Sequence, residues 1–243
     1  MADKSLNAPP AGIGSEPQRI RTVFSHRSEA NVGAFDLYGF ETHLERQEIL
    51  VRFFRSSGVS SLRGLKILDV GCGSGGQLRR LLDLGAEPRQ CFGIDLFRES
   101  LKRGRDLNPL TNLIEGNAAQ LPFADEQFDL VFQFTVLTSV LDRQAKRSII
   151  GEIHRVLRPG GYFIWYDFAY SNPRNPDVRG IGRSEVRELL EGFQLRFRRA
   201  TLAPPVGRRA VQMSPVLYRM LNCIPLLRSH YFCFAKKESS RRQ

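Results

Sequence analysis

Apolar positions change period along this chain, and the changes predict its elements. Residues 41–55 (ETHLERQEILVRFFR) place Leu44, Ile49, Leu50, Phe53 and Phe54 near one helical face, and Ser56-Ser57-Gly58 ends that helix. Short apolar runs then alternate with helical patterns. Lys66–Val70, Cys91–Asp95, Leu113–Glu115, Phe128–Phe134 and Tyr162–Phe168 read as strands. Between them, Gln77–Leu84 and Arg98–Leu107 read as helices. Asp142 is placed to cap a third, with Ile149, Ile150, Ile153, Val156 and Leu157 inward and Pro159-Gly160-Gly161 breaking it. Helix Ser184–Leu190 and strands Phe193–Leu202 and Tyr231–Ala235 complete the pattern.

Apolar strands alternating with helices imply a parallel sheet covered on both faces. The last two strands lack a core-type helix between them, which predicts an antiparallel pair. The expected fold is therefore an α/β, seven-stranded, mostly parallel doubly wound sheet with the last strand antiparallel. A helical insertion, residues 203–230, precedes that strand. In it Ser214 is a candidate N-cap, Pro215 the first helical residue, and Val216, Leu217, Met220, Leu221 and Ile224 an apolar stripe. Pro, Gly, Ala and Ser dominate the start, which predicts a disordered tail over 1–20. A helical lead-in or lid (21–60), the main domain (61–238) and a short basic tail (239–243) follow.

The stretch from Asp69 to Gly76 (DVGCGSGG) sits where a strand turns into a helix. Glycines there permit tight turning and close approach of backbone to a ligand, at the carboxyl end of a parallel strand. Gly71, Gly73 and Gly76 satisfy G-x-G-x-x-G, which alone admits a dinucleotide enzyme. Against that reading, the carboxylate of Asp69 would sit badly beside a pyrophosphate and suits a ligand carrying an amine and hydroxyls.

KILDVGCGSGGQ resembles the first motif of class I S-adenosylmethionine-dependent methyltransferases, and CFGIDL their second. GNAAQLPFADEQFDLVF and EIHRVLRPGGYFIW resemble the two regions that follow, in the right order over residues 60–168. The resemblance implies S-adenosylmethionine as cofactor. It implies that Gly71 and Gly73 pass close to it, that Asp69 faces its amino end, and that Asp95 accepts hydrogen bonds from the ribose hydroxyls. Leu96 is expected on the adenine. Asn117 stands where many relatives carry Asp, and its amide oxygen can still accept from the adenine amino group. Ala118 would offer a backbone amide to the ring, and Phe134 would lie near the methyl-transfer point. Cys72 reads as a small buried filler and His154 as structural.

Methyl transfer mainly requires acceptor and methyl held in line, and a base helps when the acceptor is a hydroxyl. Asp167 is the candidate base or acceptor-orienting group, Tyr38, Tyr166 and Tyr170 are candidate substrate contacts, and no metal is required. His26 and His43 belong to the lead-in. The chain looks like the compact relatives that act on metabolites, sugars and lipid-linked intermediates, and YDFAYSNPRNPDVRGI resembles members that accompany cell-surface polysaccharide synthesis.

Charge changes the picture at one point. The net charge is +11, but residues 1–142 hold 16 Lys and Arg against 18 Asp and Glu, and residues 143–243 hold 20 against 7. Such a field favours an anionic substrate, a membrane surface touched peripherally, or nucleic acid. Arg179, Arg183, Arg208 and Arg209 are candidate grips for an anionic group. An RNA-directed methyltransferase is the first alternative, disfavoured because Phe134-Thr135-Val136-Leu137 stands where an Asn/Asp-Pro-Pro-aromatic motif would hold a flipped adenine. A non-catalytic cofactor-binding relative is the second. Four scattered cysteines and no apolar leader or span point to a reducing, cytoplasmic location.

Overall fold

The computed structural model describes residues 15–24 and 36–238. β1 (Ile67–Val70), β2 (Cys91–Asp95), β3 (Asn112–Glu115), β4 (Phe128–Phe134), β5 (Leu157–Phe168), β6 (Phe193–Leu202) and β7 (Arg228–Lys237) form one sheet. Its order is β3-β2-β1-β4-β5-β7-β6. The strands from β3 to β5 are parallel, and β7 slots antiparallel between β5 and β6. The expected architecture is the observed one. Strand order reverses at β1, so a crevice forms at its carboxyl end, where ligands of open α/β sheets bind.

Neighbouring residues of a strand point to opposite faces, and here both faces are covered. Leu68, Val70, Val131, Phe163 and Trp165 meet Ile149, Ile150 and Ile153 of α5 (Arg143–Val156). On the other face, Ile67, Leu130, Phe132, Ile164 and Phe232 meet α2 (Leu37–Ser57) through Ile49, Leu50, Phe53 and Phe54. The same face takes α3 (Gly76–Asp83) through Leu78 and Leu81 and α4 (Arg98–Leu107) through Leu101. Asp142 caps α5, accepting from the Ala145 amide at 2.6 Å. α6 (Arg183–Leu189) contributes Val186 to the α5 side.

Several boundaries differ from expectation. α2 starts at Leu37, before the apolar stripe that announces it. Pro159-Gly160-Gly161 does not separate helix from strand: α5 ends at Val156, and Leu157 already pairs with Phe128. The register then shifts before Tyr162 meets Leu130, so these residues form an irregularity inside β5. β7 extends to Arg228 and Lys237 because it has a ladder partner on each side. The insertion holds two helices, α7 (Pro204–Met213) and α8 (Pro215–Asn222), and Ser214 caps α8 by accepting from Val216 N at 3.1 Å.

The expected disordered tail is corrected over its last residues. Ser15–Phe24 forms α1, with Pro17 in the first turn, where a missing N–H costs nothing. Glu16 is buried, accepting from Leu141 N at 2.6 Å and pairing with Arg19, which donates to Ser139 O. Residues 1–14, His26 in the lead-in and the basic tail 239–243 lie outside the described residues.

Candidate functional site

The β1–α3 turn is built by backbone that only glycine accepts. Gly71 has φ +75°, and a Cβ there would lie 2.2 Å from the Val136 side chain. The amides of Gly71 and Cys72 both donate to Ile94 O, at 2.8 and 3.1 Å, tying the turn to β2. Gly73 N donates to Asp95 Oδ2 at 2.8 Å, and Phe97 N donates to Asp95 Oδ1 at 2.9 Å. Two amides thus fix the plane of the Asp95 carboxylate, which has further acceptor sites.

Beside this turn lies a cavity of about 420 Å³. Gly71, Asp95, Leu96, Asn117, Ala118 and Phe134 all line it, so six of the eight expected cofactor residues come together. Asp69 and Gly73 do not line it. Asp69 is buried at the end of β1, where burial and then the Asp95 charge push its carboxyl up to about 7. Asn117 Oδ1 accepts from Ala119 N at 3.0 Å, so a ligand would share that oxygen.

Sequence reasoning missed the rest of the wall. Ile20 and Phe24 of α1 line the cavity, as do Thr135, Val136, Thr138 and Val140 after β4, and Phe168 and Val178. The signal for α1 was present: Ser15-Glu16-Pro17 opens a helix, and Ile20 and Phe24 stand one turn apart. Thr135 has φ +55°, a strained conformation for a β-branched residue. Its amide donates to Tyr166 O at 2.8 Å, and its hydroxyl donates to Phe134 O at 2.8 Å.

The expected substrate-side residues fall elsewhere. Asp167 is buried and does not line the cavity. It accepts from Thr138 Oγ1 at 2.5 Å, Thr138 N at 3.2 Å and Phe168 N at 2.9 Å. Burial pushes it up to about 6, despite these donors and Lys146. Tyr38 donates to Leu202 O at 2.9 Å, and Tyr166 and Thr201 share a hydrogen bond of 2.7 Å. Burial raises both phenols above the ordinary tyrosine range, and neither lines the cavity. Tyr170 is exposed, 5.6 Å from the Arg199 guanidinium. The candidate anion grips also stand outside: Arg179 pairs with Glu185, Arg183 covers Phe197 and Arg208 covers Tyr38. His43 Nδ1 lies 2.7 Å from Arg46. Burial raises the Cys72 thiol out of reactive range, and His154 packs edge-on against Phe193.

The family model described as a methyltransferase domain matches residues 68–165, the segment that carries the turn, Asp95 and Phe134. A probable S-adenosylmethionine-dependent methyltransferase of Mycolicibacterium smegmatis is 31% identical over 54% of this chain and 53% of its own length. A phthiotriol/phenolphthiotriol dimycocerosates methyltransferase of Mycobacterium ulcerans is 36% identical over 57% of this chain and 51% of its own. The chain thus spans about half the length of these relatives. Among solved structures, a putative sarcosine dimethylglycine methyltransferase of Galdieria sulphuraria superposes with TM-score 0.60, covering 80% of this chain and 86% of that one. At 18% identity that likeness concerns the fold.

Proposed function

We propose that the chain is, through residues 68–165, a class I S-adenosylmethionine-dependent methyltransferase that methylates an apolar small molecule of lipid or lipid-linked type. The observation that carries this reading is a carboxylate, Asp95, oriented by two amides at the wall of an otherwise largely apolar cavity.

The residues fit the cofactor. Asp95 would receive the ribose hydroxyls, and the glycine turn would let backbone pass close. Leu96 and Ala118 would flank the adenine, with Asn117 at its edge. Asp69, its carboxyl raised to about 7 by burial, would ionise toward the amino end when the ligand binds. When bound, the cofactor provides a methyl group already activated by its sulfonium. The chain's own part is to position and to exclude water. Phe134 and the strained Thr135 corner shape the transfer end, and Ile20 and Phe24 of α1 add to the cavity wall.

Among the described residues, Asp95 and Glu16 are the ionisable side chains of the lining, and Glu16 is engaged with Arg19 and the Leu141 amide. We therefore assign Asp167 a positioning role: it fixes the Thr138 hydroxyl, and Thr138 in turn meets the acceptor. An acceptor that needs little proton abstraction suits this site. The apolar lining and the M. ulcerans relative, whose name specifies phthiotriol dimycocerosates, favour a lipid over a sugar or an RNA.

Calorimetric titration of S-adenosylmethionine and S-adenosylhomocysteine, with NAD as control, tests the reading. Wild type should bind both adenosyl ligands, and Asp95→Ala should weaken them at least about tenfold, the scale of losing charge-assisted hydrogen bonds. Preference for NAD, or indifference to Asp95→Ala, would return the turn to its dinucleotide reading.

A further inference from the structure

The α7–α8 insertion has two unlike faces. Inward, Ala210, Val211 and Tyr218 close on Leu202 and Tyr38. Outward, Met213, Val216, Met220 and Leu226 are 77, 64, 65 and 84% exposed. Two of the chain's three methionines stand there, and methionine is the apolar side chain that best adapts to an irregular or fluid partner. Ordinary surfaces scatter such residues singly; here they gather within one short stretch.

Three further observations bear on the occupant. Residues 196–228 contain seven Arg and not one Asp or Glu. The face extends onto α2, where exposed Leu37 and Leu44 flank Glu41, the partner of Arg219 on α8. It also lies at the cavity's end of the sheet: Ala169 N donates to Ser229 O, and the adjacent Phe168 lines the cavity.

We propose that this face docks onto an anionic lipid bilayer. Met213, Val216, Met220 and Leu226 enter the boundary between headgroups and acyl chains, and the surrounding arginines, Arg208 and Arg209 among them, meet lipid phosphates. Apolar side chains rimmed by cations are the composition of interfacial helices. Among the described residues no helix is long and apolar enough to cross a membrane, so the contact is with the surface. An RNA surface would present a series of aromatic platforms for stacking, whereas Tyr218, the ring within α8, is buried and Phe40 is the single exposed ring of α2. A second copy docked two-fold on the same face would bring like-charged rims together.

Co-flotation of the full chain with phosphatidylcholine vesicles, with and without phosphatidylglycerol, tests the inference without passing through methyl transfer. Wild type should float with the anionic vesicles and lose them as salt rises. The combined variant Met213→Ser, Val216→Ser, Met220→Ser, Leu226→Ser should partition at least about tenfold less. Arg208→Gln with Arg209→Gln should cost about fivefold per arginine. Leu226→Glu alone, at a side chain too exposed to affect folding, should also weaken flotation, and S-adenosylhomocysteine binding should be unchanged in every variant. Failure of wild type to float, or undiminished flotation of the apolar variants, overturns the proposal. So does a wild-type dimer in sedimentation that the serine variant dissociates, or a salt-sensitive RNA affinity exceeding that for the vesicles.

Discussion

Gly71 and Gly76 hold the first and last places of one G-x-G-x-x-G spacing, and the backbone treats them differently. Gly71 has φ +75° with Val136 2.2 Å from an added Cβ, so Gly71→Ala meets both strain and collision. It should cost about 2 kcal/mol or more in urea unfolding and abolish adenosyl-ligand binding. At Gly76 the nearest atom is the flexible end of Arg79 at 3.7 Å, and φ is ordinary for a helix start. Gly76→Ala should stay within about 0.5 kcal/mol of wild type, or stabilise by narrowing the unfolded chain. A large loss there would mean that the third glycine packs as in a dinucleotide fold. The glycine with left-handed backbone beside it is Gly75, at φ +74°, so the working spacing is G-x-G-x-G. Sequence spacing admitted both; only φ separates them. Asp167, the candidate base or acceptor-orienting group, stands outside the cavity lining for a related reason. Its place at the carboxyl end of β5 was legible, but which way its carboxylate turned depended on Thr138, 29 positions away in sequence.

At the scale of elements, α1 tests whether the cavity has a working cover. Its hold is polar: Glu16 accepts from Leu141 N at 2.6 Å, and Arg19 donates to Ser139 O. Glu16→Ala removes the acceptor and frees Arg19, a change on the scale of about 1–3 kcal/mol for the docked helix. Because α1 is a short peripheral helix, the melting temperature should barely move. Ligand dissociation in stopped flow should quicken about tenfold, and proteolysis within 15–24 should accelerate. Unchanged dissociation would mean that α1 rests on the cavity without gating it. The sheet strands and α2 to α6 were legible because each carries a strong period of its own. What escaped has its cause outside the segment. The ends of β5 and β7 are set by ladder partners. α7 opens on Pro204-Pro205 with few apolar residues inward, and α1 follows a Pro- and Gly-rich run that masks its start.

For the molecule as a whole, burying acids in the sheet leaves a mark on stability against pH. Burial raises Asp69 to about 7 and Asp167 to about 6, above the roughly 3.9 of an unfolded Asp. Between those limits the folded state holds protons that the unfolded chain has released, so this contribution is present below about pH 4 and lost as pH rises toward 7. Buried His230, lowered to about 3, works in the opposite sense: its contribution is lost as pH falls from 6.5 toward 3. The two trends partly cancel in wild type, so the readable quantity is a difference. Relative to Asp69→Asn, wild type should lose stability steadily between pH 4 and 7, followed by melting temperature, and run parallel to the variant above pH 8. The same carboxyl then reports on the cofactor. If Asp69 faces the ligand's amino end as proposed, binding near pH 6 favours its ionised form and expels close to one proton. Titrations in buffers of different ionisation enthalpy should reveal that proton in wild type and lose it in Asp69→Asn. Heats independent of buffer would place the amino group away from β1, and Asp69 would then stand as a buried acid that shapes the turn and does not meet the ligand.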